Sequence, residues 1–398
     1  MISFESMDFQ GKRVLVRVDF NVPLNDNSEV ADDTRIQAAL PTILAILKKG
    51  GKVILMSHFG RPDGIRNLKY SLLPVANRLK QLIDNEVIFA EDCIGDSILA
   101  LSEGLKTGSV LLLENLRFYK EETAGNENFA EQLSKLGDIY VNDAFGTAHR
   151  AHASTSIIAK YFKSSNRCFG LLMGAEIDNL KKALVDGHSP KTAIIGGAKV
   201  SSKIDVLKSL ITKVDRIIIG GGMAYTFIKA NGGSVGNSLV EDDKLSVAKE
   251  LVEEAKNRGV ELILPLDSVN GSEFKDQASS SVTDAENIPD CEMGLDIGDR
   301  TISTLKEVIK TSNTIIWNGP MGVFEFKNFE NGTKKIGEFI VEATKNGAYS
   351  LIGGGDSVAA AKKFGLDTGV SYISTGGGAM LEYLEGKELP GIVAIAGE

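Results

Sequence analysis

The chain has 398 residues, of which 43% are hydrophobic and 24% charged, and its net charge at pH 7 is −9. This length exceeds what one ordinary hydrophobic core supports, so we expect two domains. The acidic balance argues against a general binder of nucleic acid or anionic membranes, because such proteins present a basic surface.

Further features of the composition favour a cytoplasmic enzyme. The three cysteines, Cys93, Cys168 and Cys291, are far apart and predict neither a disulfide framework nor a zinc site. No apolar run approaches the roughly 20 residues that span a bilayer, and the first residues lack the pattern of a signal peptide. We therefore expect a cytoplasmic protein with no membrane partner.

The first half of the chain alternates short apolar runs with amphipathic stretches. This alternation is typical of a parallel sheet that is covered by helices on both faces. Strands are predicted at residues 13–18, 52–56, 86–89, 109–113 and 139–142, and helices at residues 35–49, 72–83 and 128–136.

The alternation pauses between residues 157 and 192. A helical pattern over residues 174–184 has no predicted strand before it, and a turn signal follows it at 186–190. We place a domain boundary after residue 169, read the helix as a connector, and expect a second strand–helix series from residue 192 onward. The polar segment 276–290 is predicted to be an irregular excursion on the surface.

Basic and polar side chains follow the predicted strands of the first half or begin a helix there. Such residues are Asp19, Asn21, Arg35, His58, Arg61, Glu114, Asn115, Arg117, His149, Arg150 and His152. The name basic cluster is used below for seven of them: Asp19, Asn21, Arg35, His58, Arg61, Arg117 and Arg150. Carboxyl ends of parallel strands meet at one edge of a sheet, and arginine binds carboxylate and phosphate through two N–H groups. The cluster therefore predicts a site for a small, highly anionic molecule, with Asp19 and Asn21 placed to hold a hydroxyl. For any single arginine, a solvated charge at a loop tip remains an alternative.

Five apolar runs in the second half stop at glycine. They occupy residues 192–199, 216–222, 314–322, 350–357 and 371–380. Backbone N–H groups at such turns, together with the positive end of a following helix, bind phosphate. Lys199 in the first run indicates that a phosphoryl group is handled there, and Lys203 is predicted to share a helix face with it.

Two acidic residues near these turns are candidate ligands. Asp356 directly follows three glycines, where it either caps a helix or holds Mg²⁺ beside phosphate oxygens. Glu325 could accept a hydrogen bond from ribose hydroxyls. The chain has neither a G-x-x-x-x-G-K-[ST] loop nor a G-x-G-x-x-G turn after a strand. A nicotinamide-dependent dehydrogenase with two α/β domains and a non-enzymatic anion-binding protein remain as alternatives.

Taken together, these motifs closely resemble those of phosphoglycerate kinases. The matching segments are RVDFNVP (17–23), HFGRP (58–62), LLLENLRF (111–118), NDAFGTAHRAHAS (142–154), GGAKVSSKI (196–204), WNGPMGVFE (317–325), GGGDS (353–357) and STGGGAML (374–381). The resemblance implies two doubly wound, Rossmann-like parallel-sheet domains joined by a connector helix, with the active site in the cleft between them. It implies a phosphoglycerate-binding domain at residues 1–169, a nucleotide-binding domain at 170–384, and a tail, 385–398, that returns to the first domain.

The resemblance also implies that the protein is a monomer and that it catalyses one reaction of glycolysis and gluconeogenesis. The acyl phosphate of 1,3-bisphosphoglycerate passes reversibly to ADP, which gives 3-phosphoglycerate and ATP with Mg²⁺ as cofactor. The basic cluster would bind phosphoglycerate. The nucleotide ligands would be Lys199, Lys203, Gly294, Asn318, Glu325, Gly354, Gly355, Asp356 and Ser357, with Asp356 as the metal ligand. Ser357 stands where the family commonly has threonine, so the hydroxyl is retained.

The catalytic residues implied are Arg35, Lys199, Gly354 and Gly377. In the reverse direction the attacking group is a carboxylate, whose pKa is far below 7, so no general base is needed. Catalysis then consists of positioning and of positive charge around the phosphoryl group in flight. Because the two sets of ligands belong to different domains, the domains are expected to close.

Overall fold

The structure is a computed structural model that describes residues 3–397, and the chain forms two compact units. The first unit contains the chain up to Ile177 and again from Glu388 onward, and the second contains Asp178–Lys387. The division falls inside a helix that begins at Leu171, a few residues beyond the boundary expected at 169. Within residues 3–397, no helix is both long and apolar enough to cross a membrane.

The first unit is built from a single parallel sheet with helices on both faces. Its elements are β1 (Arg13–Arg17), α1 (Thr34–Lys48), β2 (Lys52–Met56), α2 (Leu73–Leu82), β3 (Val87–Phe89), α3 (Asp96–Gly104), β4 (Val110–Leu112), α4 (Lys120–Thr123), α5 (Glu127–Ser134), β5 (Ile139–Asn142), β6 (Arg167–Phe169) and the start of α6 (Leu171–Leu184). The strands lie in the order β3-β4-β2-β1-β5-β6, and every pair is parallel.

Both faces of this sheet are buried, which explains why its strands are continuous apolar runs. Along β1, Val14 and Val16 pack in one core with α1 and α2, whereas Leu15 packs in a second core on the other face with α3 and α5. Successive side chains of a strand point to opposite faces, so each strand supplies both cores. The sheet edge where the strands end is therefore free to carry polar loops.

The second unit repeats this design and adds two small sheets to it. Its elements are β7 (Lys191–Ile195), α7 (Ile204–Leu210), β8 (Arg216–Ile219), α8 (Met223–Ala230), β9 (Ser234–Val235), α9 (Leu245–Asn257), β10 (Glu261–Ile263), β11 (Asp267–Gly271), β12 (Ser280–Asp284), β13 (Asn287–Ile288), β14 (Met293–Ile297), α10 (Asp299–Lys310), β15 (Thr314–Asn318), α11 (Asn331–Lys345), β16 (Tyr349–Ile352), α12 (Gly355–Lys363), β17 (Tyr372–Ile373) and α13 (Gly378–Leu384). The final helix, α14 (Pro390–Ala396), belongs to the first unit.

The main sheet of the second unit has the order β10-β8-β7-β15-β16-β17 and is also parallel. A three-stranded antiparallel sheet, β12-β11-β14, and a two-stranded pair, β13-β9, stand beside it. Trp317, the chain's one tryptophan, is fully buried between the sheet and α10 and α11, where it anchors the end of β15. These two parallel sheets agree with the fold class expected from the sequence.

Two expectations about secondary structure are wrong. The segment predicted to be irregular at 276–290 contains β12 and β13, because all five residues of β12 pair with β11, which partly covers Ser281 and Thr283. The helix α6 does have a strand before it, since Arg167–Phe169 pairs with β5 at the sheet edge. Both strands are short edge strands, in which polar residues are tolerated on the solvent side.

Candidate active site

In the first unit, the loops after β1, β2 and β5 meet at one point of the sheet edge. The strand order runs β2, β1, β5, so the chain changes direction across the sheet at β1. Ligands of open parallel sheets bind at such a switch point, beyond the carboxyl ends of the strands. The basic cluster lies on these three loops, on the loop after β4 and at the start of α1.

Asn21 joins the loop after β1 to the loop after β2, and Arg35 joins the start of α1 to the loop after β1. The Arg35 guanidinium donates to Oδ2 of Asp19 at 3.0 Å and to the carbonyl oxygen of Asn21 at 3.1 Å. The side-chain oxygen of Asn21 accepts from the backbone N–H of Gly60 at 2.9 Å. The Arg35 side chain is 41% exposed, so it stays accessible to a ligand although its Nη1 is held by these two bonds.

Three arginines of the cluster line one cavity of about 340 Å³. Arg61, Arg117 and Arg150 share this lining with Tyr119 and Thr123, which the sequence did not single out. Arg117 donates to the carbonyl oxygen of Gly60 at 2.8 Å, and its Nε is buried without a hydrogen-bond partner. Burial, together with the positive charges of Arg17 and Arg150, lowers the pKa of Arg117 to about 10. Guanidinium groups concentrated in this way attract a multiply charged anion.

Two histidines at the cluster, His58 and His152, are neutral near pH 7. Burial, and after it the charge of Arg17, holds the pKa of His58 well below its usual 6.5. Burial likewise lowers the pKa of His152 to about 3. The positive charge at this site therefore comes from arginines, and His58 contributes hydrogen bonding without charge.

In the second unit, all five glycine turns lie at the carboxyl ends of adjacent parallel strands, those of β8, β7, β15, β16 and β17. The strand order β8, β7, β15 places the switch point at β7, and the turns after β7 and β15 touch there through their backbones. A Cβ added at Gly196 would lie 2.0 Å from the carbonyl oxygen of Pro320, and one at Gly319 would lie 2.1 Å from that of Gly196. Only glycine permits this approach. The segments 196–199, 220–222, 319–325 and 353–356 are named here the glycine loops.

A cavity of about 300 Å³ opens between the glycine loops. Gly197, Gly222 and Gly294 line it together with apolar side chains, and the exposed carboxylates of Glu325 and Asp356 stand at its margin. Gly294 is required inside β14 because a Cβ there would lie 2.0 Å from the Tyr225 hydroxyl oxygen. The apolar lining includes Leu239, Met293 and Met321, which gives a flat aromatic group surfaces to contact.

Lys199 and Lys203 do not share a helix face, contrary to the expectation from their spacing. Residues 200–202 form a 3₁₀ turn, and α7 begins only at Ile204, so both lysines precede the helix. Lys199 is exposed, whereas Lys203 is largely buried and donates to the side-chain oxygen of Asn318. Burial lowers the pKa of Lys203, and Asp356 and Glu385 oppose that shift.

The remaining predicted nucleotide residues lie at the start of α12, and Gly377, which was predicted to be catalytic, lies at the start of α13. Gly354 precedes α12 with φ of +93°, and Gly377 precedes α13 with φ of +49°. Gly355 and Asp356 form the exposed first turn of α12. Ser357 is buried instead, and its hydroxyl accepts from the N–H of Gly319 at 2.6 Å. Ser357 therefore supports a glycine loop through this bond.

Arg17 is a further residue at the site that the sequence interpretation did not single out. Arg17 ends β1 and is fully buried, in contact with His58. A charged residue at the end of an otherwise apolar strand was the available signal, but its partner residues cannot be inferred from the local pattern.

Arginine-rich loops at the edge of one parallel sheet and glycine turns at the edge of another are the features expected of an α/β phosphotransferase. Known proteins agree. A family model described as phosphoglycerate kinase matches residues 4–387. The chain belongs to the phosphoglycerate kinase family, which excludes the dehydrogenase and the non-enzymatic alternatives.

Similar proteins cover the whole length of the chain. It is 50% identical to phosphoglycerate kinase of Porphyromonas gingivalis, with 100% of both chains covered. It is 53% identical to the cytosolic phosphoglycerate kinase of Triticum aestivum, with 98% of this chain and 96% of that one covered. The solved structure of phosphoglycerate kinase from Coxiella burnetii aligns with a TM-score of 0.90 at 39% identity, covering 99% of this chain and 98% of that one. The enzyme from Pyrococcus horikoshii gives 0.83 at 32% identity, with 100% and 98% covered.

Proposed function

We propose that the basic cluster binds 3-phosphoglycerate and that the glycine loops bind ADP or ATP. The family reaction is reversible transfer of the acyl phosphate of 1,3-bisphosphoglycerate to ADP. The observation that carries the assignment of the first site is the cavity at the sheet edge lined by Arg61, Arg117 and Arg150. Three guanidinium groups around about 340 Å³ match a ligand with a phosphate and a carboxylate.

The assignment of the nucleotide rests on the cavity between the glycine loops. Its apolar side chains would cover the base, and Glu325 at the margin would accept from the ribose hydroxyls. Gly354 and Gly355 lie at the start of α12. Their backbone N–H groups, together with the positive end of the helix, would bind the nucleotide phosphates. Lys199 and Lys203 would neutralise phosphate oxygens. Asn318 would hold Lys203 in place through the hydrogen bond described above.

Asp356 is the residue that would hold Mg²⁺. Its carboxylate is exposed at the margin of the nucleotide cavity, and Mg²⁺ prefers one or two carboxylates together with substrate phosphates. When bound, the ion would neutralise charge on the nucleotide phosphates. We propose no further protein ligand for it.

The protein's part in the transfer is to place the two ligands and to supply positive charge. Arg35 and Lys199 would stabilise the phosphoryl group during transfer, together with the N–H groups at the starts of α12 and α13. The attacking carboxylate needs no base, and His58, which is neutral, is not placed in that role. Transfer requires the two ligands to meet, so we propose that the units bring their sites together when both ligands are bound.

We also propose that the enzyme works as a cytoplasmic monomer, because one chain carries both sets of predicted ligands. Light scattering coupled to gel filtration tests this directly. A monomer mass is expected with and without substrates, and a stable dimer would contradict the proposal.

Calorimetry with each ligand alone tests the assignment of the two sites. Arg150→Ala should weaken 3-phosphoglycerate binding about tenfold or more while MgADP binding is retained, since it removes one charged donor. Asp356→Ala should weaken MgADP binding and leave 3-phosphoglycerate unaffected. Arg78→Ala, at a partly exposed position in the middle of α2, and Asp299→Ala, at an exposed position at the start of α10, serve as matched controls. Equal losses for both ligands in both variants would contradict the assignment.

A further inference from the structure

Arg17 carries a buried charge, and none of the functions proposed above for the site residues accounts for it. Its side chain is fully buried at the end of β1, among strands that are otherwise apolar. Burying a guanidinium costs several kcal/mol unless its N–H groups are hydrogen-bonded and its charge is balanced. The contacts that meet this cost should therefore show what the residue does.

The Arg17 guanidinium connects three loops of the first unit. Its Nε donates to the Ser154 hydroxyl at 2.8 Å, its Nη1 donates to the Val18 carbonyl oxygen, and its Nη2 lies 3.2 Å from Nδ1 of His58. These partners belong to the loops after β5, β1 and β2. Ser154 in turn donates from its hydroxyl to Glu122 at 2.6 Å and from its backbone N–H at 3.0 Å, so a buried carboxylate ends the chain of contacts.

The contact between Arg17 and His58 decides which tautomer the histidine adopts. Arginine has only N–H donors and remains protonated, so Nδ1 of His58 has to be the acceptor and carries no proton. The ring is 4% exposed, and an imidazolium there would lie among like charges. The ionisable groups facing it are Arg17, Arg35, Arg117, His152 and the Asp19 carboxylate, whose Oδ1 lies 3.9 Å from Nδ1, beyond hydrogen-bond distance. The neutral ring must then keep its one proton on Nε2.

We propose that Arg17 is a positioning residue that fixes His58 as the Nε2–H tautomer, so that the ring donates a hydrogen bond to the anionic substrate. The inference rests on the proposed function of the basic cluster as the phosphoglycerate site. The opposite tautomer would present a lone pair at Nε2 and repel an anion. Arg17 thus acts through His58, while Glu122 balances its charge through Ser154.

Nitrogen NMR of the ligand-free wild-type enzyme tests the tautomer without any measurement of activity. The chain has four histidines, and His58→Gln identifies the resonances of residue 58. The expected pattern is a protonated Nε2 and an unprotonated Nδ1, unchanged as the pH crosses the ordinary histidine value near 6.5. A protonated Nδ1, or a ring that becomes cationic in that range, would overturn the proposal. This measurement does not depend on a variant that has to fold.

Arg17→Lys tests the positioning role. Lysine keeps the charge but cannot reach Ser154 and His58 with separate N–H groups of one fork. We expect the His58 ring to lose its single tautomer and the KM for 3-phosphoglycerate to rise about tenfold, the scale of one hydrogen bond to a charged group. The KM for ATP should stay unchanged. Arg13→Lys, on the same strand but paired with Asp138 nearer the surface, should change neither quantity.

The outcomes separate this inference from the proposed function. An altered tautomer with an unchanged KM for 3-phosphoglycerate would overturn the positioning role while the assignment of the site stands. Conversely, absence of 3-phosphoglycerate binding in the wild type would refute the function assigned to the basic cluster, and with it the role of Arg17, even with the tautomer as expected.

Discussion

Arg35 is the cluster member whose position is fixed most directly by its neighbours. It donates to Asp19 and to the carbonyl oxygen of Asn21, yet it remains two-fifths exposed. An exposed ion pair contributes little to folding, typically about 0–1 kcal/mol. The residue is therefore available to stabilise charge on a ligand at little cost to the fold.

Replacing Arg35 by alanine should lower kcat about 100-fold or more, the scale of removing one donor to a transition state. The melting temperature should change little, since the arginine side of the ion pair is 41% exposed. Steady-state kinetics and scanning calorimetry check both parts. Arg78→Ala is a matched control, because Arg78 pairs with Asp33 at 2.7 Å and is 37% exposed. An unaltered kcat in the Arg35 variant would remove the residue from catalysis.

The sequence indicated which loops carry the basic cluster, but it did not indicate which buried residues hold these loops together. Strands of a parallel sheet end at one edge, so residues after β1, β2, β4 and β5 could be grouped without a structure. Arg17 could not be grouped in this way. Its partners, His58, Ser154 and Glu122, are distant in sequence, and their meeting depends on how three loops pack.

At the scale of elements, the turn after β7 is constrained by backbone contact with the turn after β15. Gly196→Ala would place a methyl group 2.0 Å from the Pro320 carbonyl oxygen and 2.7 Å from that of Gly319. Because both neighbours are backbone atoms, the loops must separate. We expect a loss of about 1–3 kcal/mol, the usual cost of overpacking, and weaker MgADP binding.

Calorimetric melting and titration with MgADP measure these two effects. Gly104→Ala, at the end of α3, is the control, because a Cβ there meets no atom within 4 Å. Normal nucleotide affinity in the Gly196 variant would show that the contact between the turns is dispensable.

A buried carboxyl links β14 to α11. Asp296 accepts from the N–H of Ile297 at 2.9 Å and from that of Gly332, in the first turn of α11, at 2.7 Å. Burial raises its pKa to about 7, well above the value near 3.9 of an unfolded aspartate. Its protonated form therefore stabilises the folded chain fully below about pH 4, and this contribution is lost as the pH rises toward 7.

Asp296→Asn should abolish this dependence, since asparagine does not ionise. The difference between the melting temperatures of the variant and the wild type should rise steadily from about pH 4 to pH 7, because only the wild type loses stability over this range. This rise is expected whether the variant is more or less stable than the wild type at pH 4. A tenfold difference in proton affinity between the folded and the unfolded chain corresponds to about 1.4 kcal/mol of stability. Asp299→Asn, at an exposed position nearby, is the comparison. A constant difference between wild type and the Asp296 variant would contradict the raised pKa.

Elements that the sequence missed are those whose existence depends on a neighbour. β6 has three residues and β12 is polar, so neither carries a strong pattern of its own. Each becomes a strand by pairing with a longer one at the edge of a sheet. Likewise, Lys199 and Lys203 have helical spacing, but Ser201 bonds to Glu241 in a 3₁₀ turn before α7 begins.

At the scale of the molecule, the first unit is completed by the end of the chain. The N–H of Gly391, in α14, donates to the carbonyl oxygen of Ala148 at 2.8 Å, and Ile395 is buried in a core of this unit. Ala148 belongs to the loop that carries Arg150. The final helix therefore supports a loop of the basic cluster.

Ile395→Ala should destabilise the first unit by about 2–5 kcal/mol, the usual cost of truncating a large buried side chain. Val393→Ala, on the exposed side of the same helix, should cost much less. Removing residues 388–398 should lower kcat more than MgADP affinity, because none of these residues belongs to the second unit. A truncated enzyme with wild-type kcat would show that the helix has no part in the phosphoglycerate site.

The first unit is built from two separate segments of the chain, and this affects the order in which the units are completed on the ribosome. Its strands all emerge before residue 170, but α14 emerges only with the last residues. The second unit is one uninterrupted segment, and domains generally fold as units as they leave the ribosome. The chain of the second unit is thus complete while the unit translated before it still lacks its final helix. The part of the enzyme that is made first is the part that is finished last.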